Sequence, residues 1–451
     1  MMKRRQERRG RRLAGIAVVV LAGAFAVPAL AAAPAGGSAR NARQALFKQV
    51  LADPGNVKLA LAYARLAAST GDLEGAVSTL ERLLIVAPDV AALDLELGTL
   101  YYRLGAYDVA SSYFKAAAAA PDATPAIKAA AAGFTAAAAQ GGNADRNMAA
   151  LTFGARYQSN ANSGAENPLI DLNGVPFLLS PAAMAGADAN GFVSANLHLS
   201  DDLHDQGDRF DTDLSAYGAL YAQQHDLNAL AIEAKPGPVY NLKRFGIANS
   251  TLQVYGIFDG ESLGGDPYYL AYGLGTALTT AIDPATESHL RLEYRQETFE
   301  NSTSRPAVSD MDGARVRLST DLRRQLNPTI ALYGSIYGER KAAITADNAD
   351  WEMGGAIGTT LSLAGPGSAA NGPWSLDLSV GALQRNFDGP DPSISPEARR
   401  DTKGYVQGVL TVPMPRGWAA QAAVGYSRQF STYSLYTFGD TSTSLALTKS
   451  F

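Results

Sequence analysis

The chain has 451 residues, a formal net charge of −5, 47% hydrophobic residues, 44 glycines, 20 tyrosines and no cysteine. Lack of cysteine excludes disulfides, thiol catalysis and a lipid-modified N-terminal cysteine. An acidic balance argues against nucleic acid as a partner, whose phosphates demand Lys and Arg.

The N-terminus reads as a targeting segment. Lys3, Arg4, Arg5, Arg8, Arg9, Arg11 and Arg12 form a basic head, followed by an apolar run from Leu13 to Val27 and then Ala29-Leu30-Ala31. This is the pattern of a cleaved secretory signal peptide over residues 1–31. With Glu7 counted, the segment carries +6, so the expected mature chain has a net charge of −11. No other stretch approaches the length of a helical membrane span. Export without a membrane helix leaves the periplasm or a barrel in the outer membrane.

Residues 41–140 are rich in Ala and Leu and repeat at a fixed interval. Gly71 and Gly105, Ala76 and Ala110, and Pro54 and Pro88 are each 34 residues apart. That is the tetratricopeptide period, in which each helix pair buries its face against the next pair. Leu97, Gly98, Tyr101, Phe114 and Ala117 occupy packing positions of the second repeat; Tyr63, Ala64, Ala67 and Leu80 occupy those of the first. A half repeat ending at Pro54 and a helix near 124–139 would cap the stack. The candidate client-binding groove comprises Lys58, Leu61, Arg65, Thr99, Tyr102 and Arg103, on what the repeat pattern makes the concave side. With little more than two repeats the groove is shallow, and ordinary solvated surface is the competing explanation.

Beyond Gln140-Gly141-Gly142-Asn143 the apolar period changes to two. Leu290, Leu292 and Tyr294 alternate with His289, Arg291, Glu293, Arg295 and Glu297; Val316, Leu318 and Leu322 alternate with Arg315, Arg317, Asp321 and Arg323. Trp374, Leu376, Leu378 and Val380 oppose Ser375, Asp377 and Ser379, and Trp418 to Tyr426 follow the same rule. Strands of about ten residues, apolar on one face and polar on the other, are the signature of a transmembrane barrel. Fourteen are expected over residues 147–451, near 148–159, 189–200, 209–223, 226–235, 249–259, 268–281, 287–299, 310–324, 328–341, 349–362, 373–386, 401–412, 417–431 and 438–451. The fourth is the weak one, because Pro236 and Pro238 donate nothing to a ladder, so twelve or sixteen strands stay open. The fold class is therefore α+β and multidomain: all-α tetratricopeptide repeats, then an antiparallel transmembrane barrel.

The charged faces of strands seven and eight, His289 to Glu297 and Arg315 to Arg323, form the candidate lumen wall. Either they make a polar surface along which a chain slides, or they only pair with one another. Asp201, Asp202, Asp205 and Asp208 cluster in one turn without the spacing of a calcium loop. Four histidines (His198, His204, His225 and His289) lie in no Ser–His motif. No catalytic residue, metal or cofactor is expected, and no enzymatic activity. The last strand ends on Leu445, Leu447 and Phe451, one apolar face broken by Lys449. It looks like the C-terminal signal read by the barrel-assembly machinery.

Gly154-Ala155-Arg156-Tyr157-Gln158-Ser159-Asn160-Ala161-Asn162 resembles the Gly-x-x-Tyr-Asp-Ser-Asn-x-Asn opening of the surface lipoprotein assembly modifier (Slam) family, with Gln158 in place of Asp. Ala234-Lys235-Pro236-Gly237-Pro238 is similar to a Gly-Pro element on that family's fourth strand, and the Lys-Ser-Phe ending is also typical. Tyr157, Ser159, Asn160 and Asn162 carry the first likeness. The resemblance implies an outer-membrane translocon, its repeat domain in the periplasm meeting a lipoprotein or a secreted haem- or metal-binding client, and its barrel, in outer-membrane lipid, providing the passage. Two alternatives fit the same architecture: an exopolysaccharide-export porin with a tetratricopeptide scaffold, and a passive solute porin.

Overall fold

The computed structural model describes residues 36–451 except 71, 89, 144–146 and 204–206. The expected signal segment, Gly71, His204 and Asp205 thus lie outside the described residues. Among those described, six helices form the N-terminal part: α1 Gly36–Ala52, α2 Val57–Ser69, α3 Leu73–Val86, α4 Ala91–Leu104, α5 Tyr107–Ala119 and α6 Pro125–Asn143. They are the half repeat, two full repeats and the cap that the 34-residue period predicts.

Local chemistry sets these boundaries. The Asn56 side chain accepts from the Leu59 amide at 3.2 Å and Asp72 from the Gly75 amide at 2.9 Å, so α2 and α3 start where a side chain satisfies a free N–H. Gly105 ends α4 with φ +85°, a conformation that L side chains resist. Small residues admit large ones across the stack. A Cβ on Gly98 would stand 2.5 Å from the Phe114 ring, which is fully buried. One apolar cluster joins α1 to α4 through Ala64, Ala67, Leu80 and Leu97; a second joins α4 to α6 through Ala110, Phe114 and Ala131.

Fourteen strands then close into an antiparallel barrel. They are β1 Asn147–Gln158, β2 Asp188–Asp202, β3 Arg209–Tyr221, β4 Ala229–Asn241, β5 Ser250–Leu263, β6 Asp266–Asp283, β7 Thr286–Phe299, β8 Gly313–Asn327, β9 Ile330–Lys341, β10 Asp350–Leu363, β11 Trp374–Phe387, β12 Arg400–Met414, β13 Trp418–Ser431 and β14 Phe438–Ser450. Each pairs with its sequence neighbours, and β1 closes on β14 from Ala150↔Ser450 to Gln158↔Ser442. The expected fourth strand is corrected: it starts at Ala229 and runs through both prolines to Asn241, because its ladder to β3 continues beside them. The long segment after β1 carries its own hairpin, Leu169–Leu172 with Val175–Leu178.

Apolar side chains crowd the outside of the barrel. Leu290, Leu292, Ile336, Met353, Ile357, Val380, Val424 and Leu445 are all exposed, whereas Glu293, Glu297, Glu339, Asp350 and Glu352 are buried. This inverts the usual soluble arrangement. No helix among the described residues is long and apolar enough to cross a membrane.

Candidate functional site

Strand alternation puts every second residue into the lumen, and there the charges find each other. Arg295 (β7) contacts Glu233 (β4) at 2.8 Å, Asp259 (β5) at 2.7 Å and Glu293 (β7) at 2.9 Å. Lys235 reaches Glu233 at 3.0 Å and Glu293 at 3.2 Å. Further round the wall, Arg315 binds Glu297 at 2.6 Å and Glu339 at 2.5 Å, Arg317 binds Glu339 at 3.0 Å, and Arg291 binds Asp321 at 2.6 Å. Arg385 continues the series by pairing with Glu352. Burying ions is costly unless each has partners of opposite sign and satisfied hydrogen bonds, and this ladder supplies both across β4 to β11.

Of the nine predicted lumen residues, seven join that ladder: Arg291, Glu293, Arg295, Glu297, Arg315, Arg317 and Asp321. His289 stands towards the end of the barrel where its first strand begins and its last strand ends, its Nδ1 3.0 Å from the Thr279 hydroxyl and its Nε2 3.6 Å from Glu287. Arg323 is exposed beyond the ladder at the same end. Lys235, Asp259, Glu339, Glu352 and Arg385 were not singled out from the sequence. They share the inward parity of their strands, so extending the pairing count beyond β7 and β8 would have found them.

Tyrosines form a second layer of the wall. Tyr255 lies directly opposite Gly275, Tyr333 opposite Gly358, Tyr337 opposite Gly354 and Tyr405 opposite Gly381. Each ring occupies the place a side chain would take: a Cβ on Gly354 or Gly381 would stand 2.7 or 2.5 Å from the facing ring. Three of the hydroxyls donate to lumen carboxylates, Tyr255 to Glu293 at 2.9 Å, Tyr333 to Asp377 at 2.7 Å and Tyr337 to Glu352 at 2.6 Å. The Arg317 guanidinium lies 3.8 Å above the Tyr337 ring.

The ladder separates two spaces. One of about 620 Å³ is bounded by Met148, His198, Asp213, Lys235, Arg291 and Phe451; another of about 700 Å³ by Asp259, Tyr268, Arg295, Met311, Arg317 and Lys341. Lys235, Arg291 and Glu293 border both. At the opposite end the loops interlock: Glu166 pairs with Arg428 at 2.7 Å, and the Asn173 amide donates to Ile394 O at 2.9 Å.

Asn160 and Asn162 tie down the first of these loops. The Asn160 side chain, buried, donates to Gly164 O at 3.0 Å and to Gly439 O at 3.2 Å, and accepts from the Gly164 amide at 2.9 Å. Asp440 accepts from the Asn160 amide at 2.9 Å and from the Ser159 hydroxyl at 3.2 Å. Asn162 donates to Met184 O and accepts from the Gly186 amide, both at 2.9 Å. Tyr157 faces outward. The motif is thus a clasp between the first loop and β14.

At the barrel's C-terminus, Leu445 and Leu447 point outward, and the Phe451 amide donates to Ala149 O at 2.9 Å. Lys449 lies 5.1 Å from the Phe451 ring and also caps Arg416 O.

The predicted groove residues do not converge on one patch. Lys58 is exposed, Leu61 packs on the first apolar cluster, and Arg65 pairs with Glu96 at 3.3 Å. Arg103 donates to Ala68 O at 3.1 Å, so both arginines strap α4 to α2. The Thr99 hydroxyl turns back to Leu95 O at 2.8 Å, and Tyr102 packs between Tyr107 and Phe134. Nearby, burial and a hydrogen bond to Glu81 push the Tyr101 hydroxyl's pKa up. The repeat stack also meets the barrel. Lys243, in the β4–β5 turn, donates to Arg103 O at 3.5 Å, and a Cβ on Gly105 would stand 3.1 Å from Gly207 Cα. Among the described residues no group of acidic or histidine side chains is placed to hold a metal ion.

The tetratricopeptide repeat family model matches residues 35–95. No curated protein matches the chain. Among solved structures, PcrH in complex with the chaperone binding region of PopD is 21% identical over 23% of this chain and 78% of its own, with a TM-score of 0.21. The outer membrane channel DcaP of Acinetobacter baumannii is 10% identical over 68% of this chain and 96% of its own, with a TM-score of 0.37. A bacterial polysaccharide outer membrane secretin is 10% identical over 68% and 99%, with a TM-score of 0.34.

Proposed function

We propose that this chain is an outer-membrane translocon that carries lipoproteins, or a secreted protein client, from the periplasm to the cell surface. The observation that carries this reading is the repeat stack seated against one mouth of a closed barrel that is apolar outside and charged inside. Stacked helix pairs present a surface suited to an extended chain. A barrel of fourteen strands is wider than one filled by its own side chains. Both barrel termini lie at the end that meets the repeats, and this supports a reading in which that end is periplasmic and the interlocked loops are outside. The likeness of the Ser159–Asn162 opening to the Slam family favours protein as cargo over a polymer or a small solute.

The test is a deletion strain labelled with radioactive palmitate and treated with external protease. The expected result is that labelled proteins digested in wild-type cells become protected, and that the full chain supplied in trans restores their digestion. An unchanged pattern of surface lipoproteins and secreted proteins would sink the proposal. Loss of an exported polysaccharide instead would identify the chain as a polymer exporter.

A further inference from the structure

Along most of the barrel wall, neighbouring strands are laddered without interruption apart from single-residue shifts near turns. The β4–β5 seam differs. It pairs from Ala229↔Leu263 to Ala234↔Phe258 and again from Val239↔Gln253 to Asn241↔Thr251, in one register. Between these stretches, Lys235-Pro236-Gly237-Pro238 face Val254-Tyr255-Gly256-Ile257 with no ladder pair. Proline has no N–H to give. The β3–β4 ladder runs unbroken through Thr212↔Pro236 and Phe210↔Pro238, so both proline nitrogens fall on the β5 side. The β5 carbonyls facing them have therefore lost two donors in the middle of the wall.

On the lumen side, ion pairs replace those bonds. Arg295 grips Glu233 on β4 and Asp259 on β5, and Lys235 reaches over to Glu293 on β7. Gly237 keeps β5 close without a side chain between: a Cβ there would stand 2.1 Å from Val254 O and 2.5 Å from Tyr255 Cα. On the outer side, alternation presents only Ile232, Ala234, Pro236, Pro238, Val254, Gly256 and Phe258, a surface without charge. At the inner end, the turn joining these two strands is the one whose Lys243 contacts the repeat stack.

Building on the translocon reading above, we propose that the β4–β5 seam is a lateral exit for the acyl anchor of a lipid-modified client. The Glu233, Lys235, Asp259, Glu293 and Arg295 cluster is its latch. A laddered seam opens only by stranding backbone groups in hydrocarbon. Here the prolines have already removed two bonds, worth roughly a thirtyfold shift in the opening equilibrium. The remaining lumenal ion pairs can exchange with charges on a passing polypeptide, and the apolar outer lips suit an acyl chain entering the bilayer.

The chain lacks cysteine, so an engineered disulfide has no competing thiol. Ala234→Cys with Phe258→Cys bridges the upper rim of the seam, and Thr320→Cys with Ile336→Cys bridges the laddered β8–β9 pair as a control. In palmitate-labelled cells the oxidised seam lock is expected to abolish protease exposure of labelled proteins, and dithiothreitol to restore it. The control lock is expected to behave like wild type. The reduced form of the same variant guards against misfolding. If deletion of the chain abolishes exposure but the oxidised seam lock does not, the exit lies elsewhere and the translocon reading stands. If deletion changes nothing, both fall. Hydrogen exchange on the purified full chain gives a readout without cargo: the Val254 and Gly256 amides, which face β4, are expected to exchange faster than those of β9, and equal protection would overturn the seam.

Discussion

In the helical stack the residues hidden from solvent are largely alanine and leucine with Phe114; in the barrel they include Glu293, Glu297, Glu339, Lys341, Asp350 and Glu352. The two halves of one chain solve burial with opposite chemistry. A helix pair has water outside, so its interior is apolar and its cohesion comes from volume matching, as Gly98 matches Phe114. The barrel has its apolar residues outside, so its cohesion rests on the backbone ladder. Its interior charges then need one another. An error of volume is expected to hurt the first half most, and an error of charge the second.

The largest effect is expected from Phe114→Ala, which empties a fully buried site at a cost of about 3–5 kcal/mol to the repeat stack. Helical circular dichroism of the full chain should lose its transition at lower temperature, while heat-dependent gel mobility still reports a closed barrel. Loss of both together would mean the halves do not fold independently. Next is Arg295→Met, which leaves Glu233, Asp259 and Glu293 without their shared cation. Breaking such a buried group costs about 3 kcal/mol, and urea unfolding in micelles should show it in the barrel. Stability equal to wild type would show that water reaches the ladder freely.

Gly358→Val places a side chain inside the Tyr333 ring. Overpacking of this kind costs about 1–3 kcal/mol, and the companion change Tyr333→Ala should recover part of it. The smallest effect is expected from Arg65→Met. Its pair with Glu96 is two-thirds exposed on the arginine side, so less than about 1 kcal/mol should be lost. A loss comparable to that of Arg295→Met would erase the contrast between the two halves.

The period of the apolar residues was enough to place both halves. The 34-residue spacing gave the helix pairs, because small and large packing positions must recur where identical units stack. The two-residue alternation gave fourteen strands, most of them within a few residues of those observed. The sequence was misleading at Pro236 and Pro238, where the missing N–H suggested a strand end. Only the β5 side needs those donors, and periodicity does not tell which neighbour a strand faces. The ion-pair ladder was half visible: parity identified the inward residues of β7 and β8, but registry decides which charges meet. The groove was least legible, since Tyr102 turns towards Tyr107 and Phe134 for reasons of shape that spacing does not encode.

The closure of β1 on β14 has a consequence in time. The edge of the terminal strand is engaged from Gln158↔Ser442 to Ala150↔Ser450, and the last amide, that of Phe451, is held by Ala149. Anything that grips this edge through its backbone competes with β1 for the same hydrogen bonds. It must therefore act before the first strand arrives, and that arrival is what evicts it. Closure thus hides the very edge that such a partner would need.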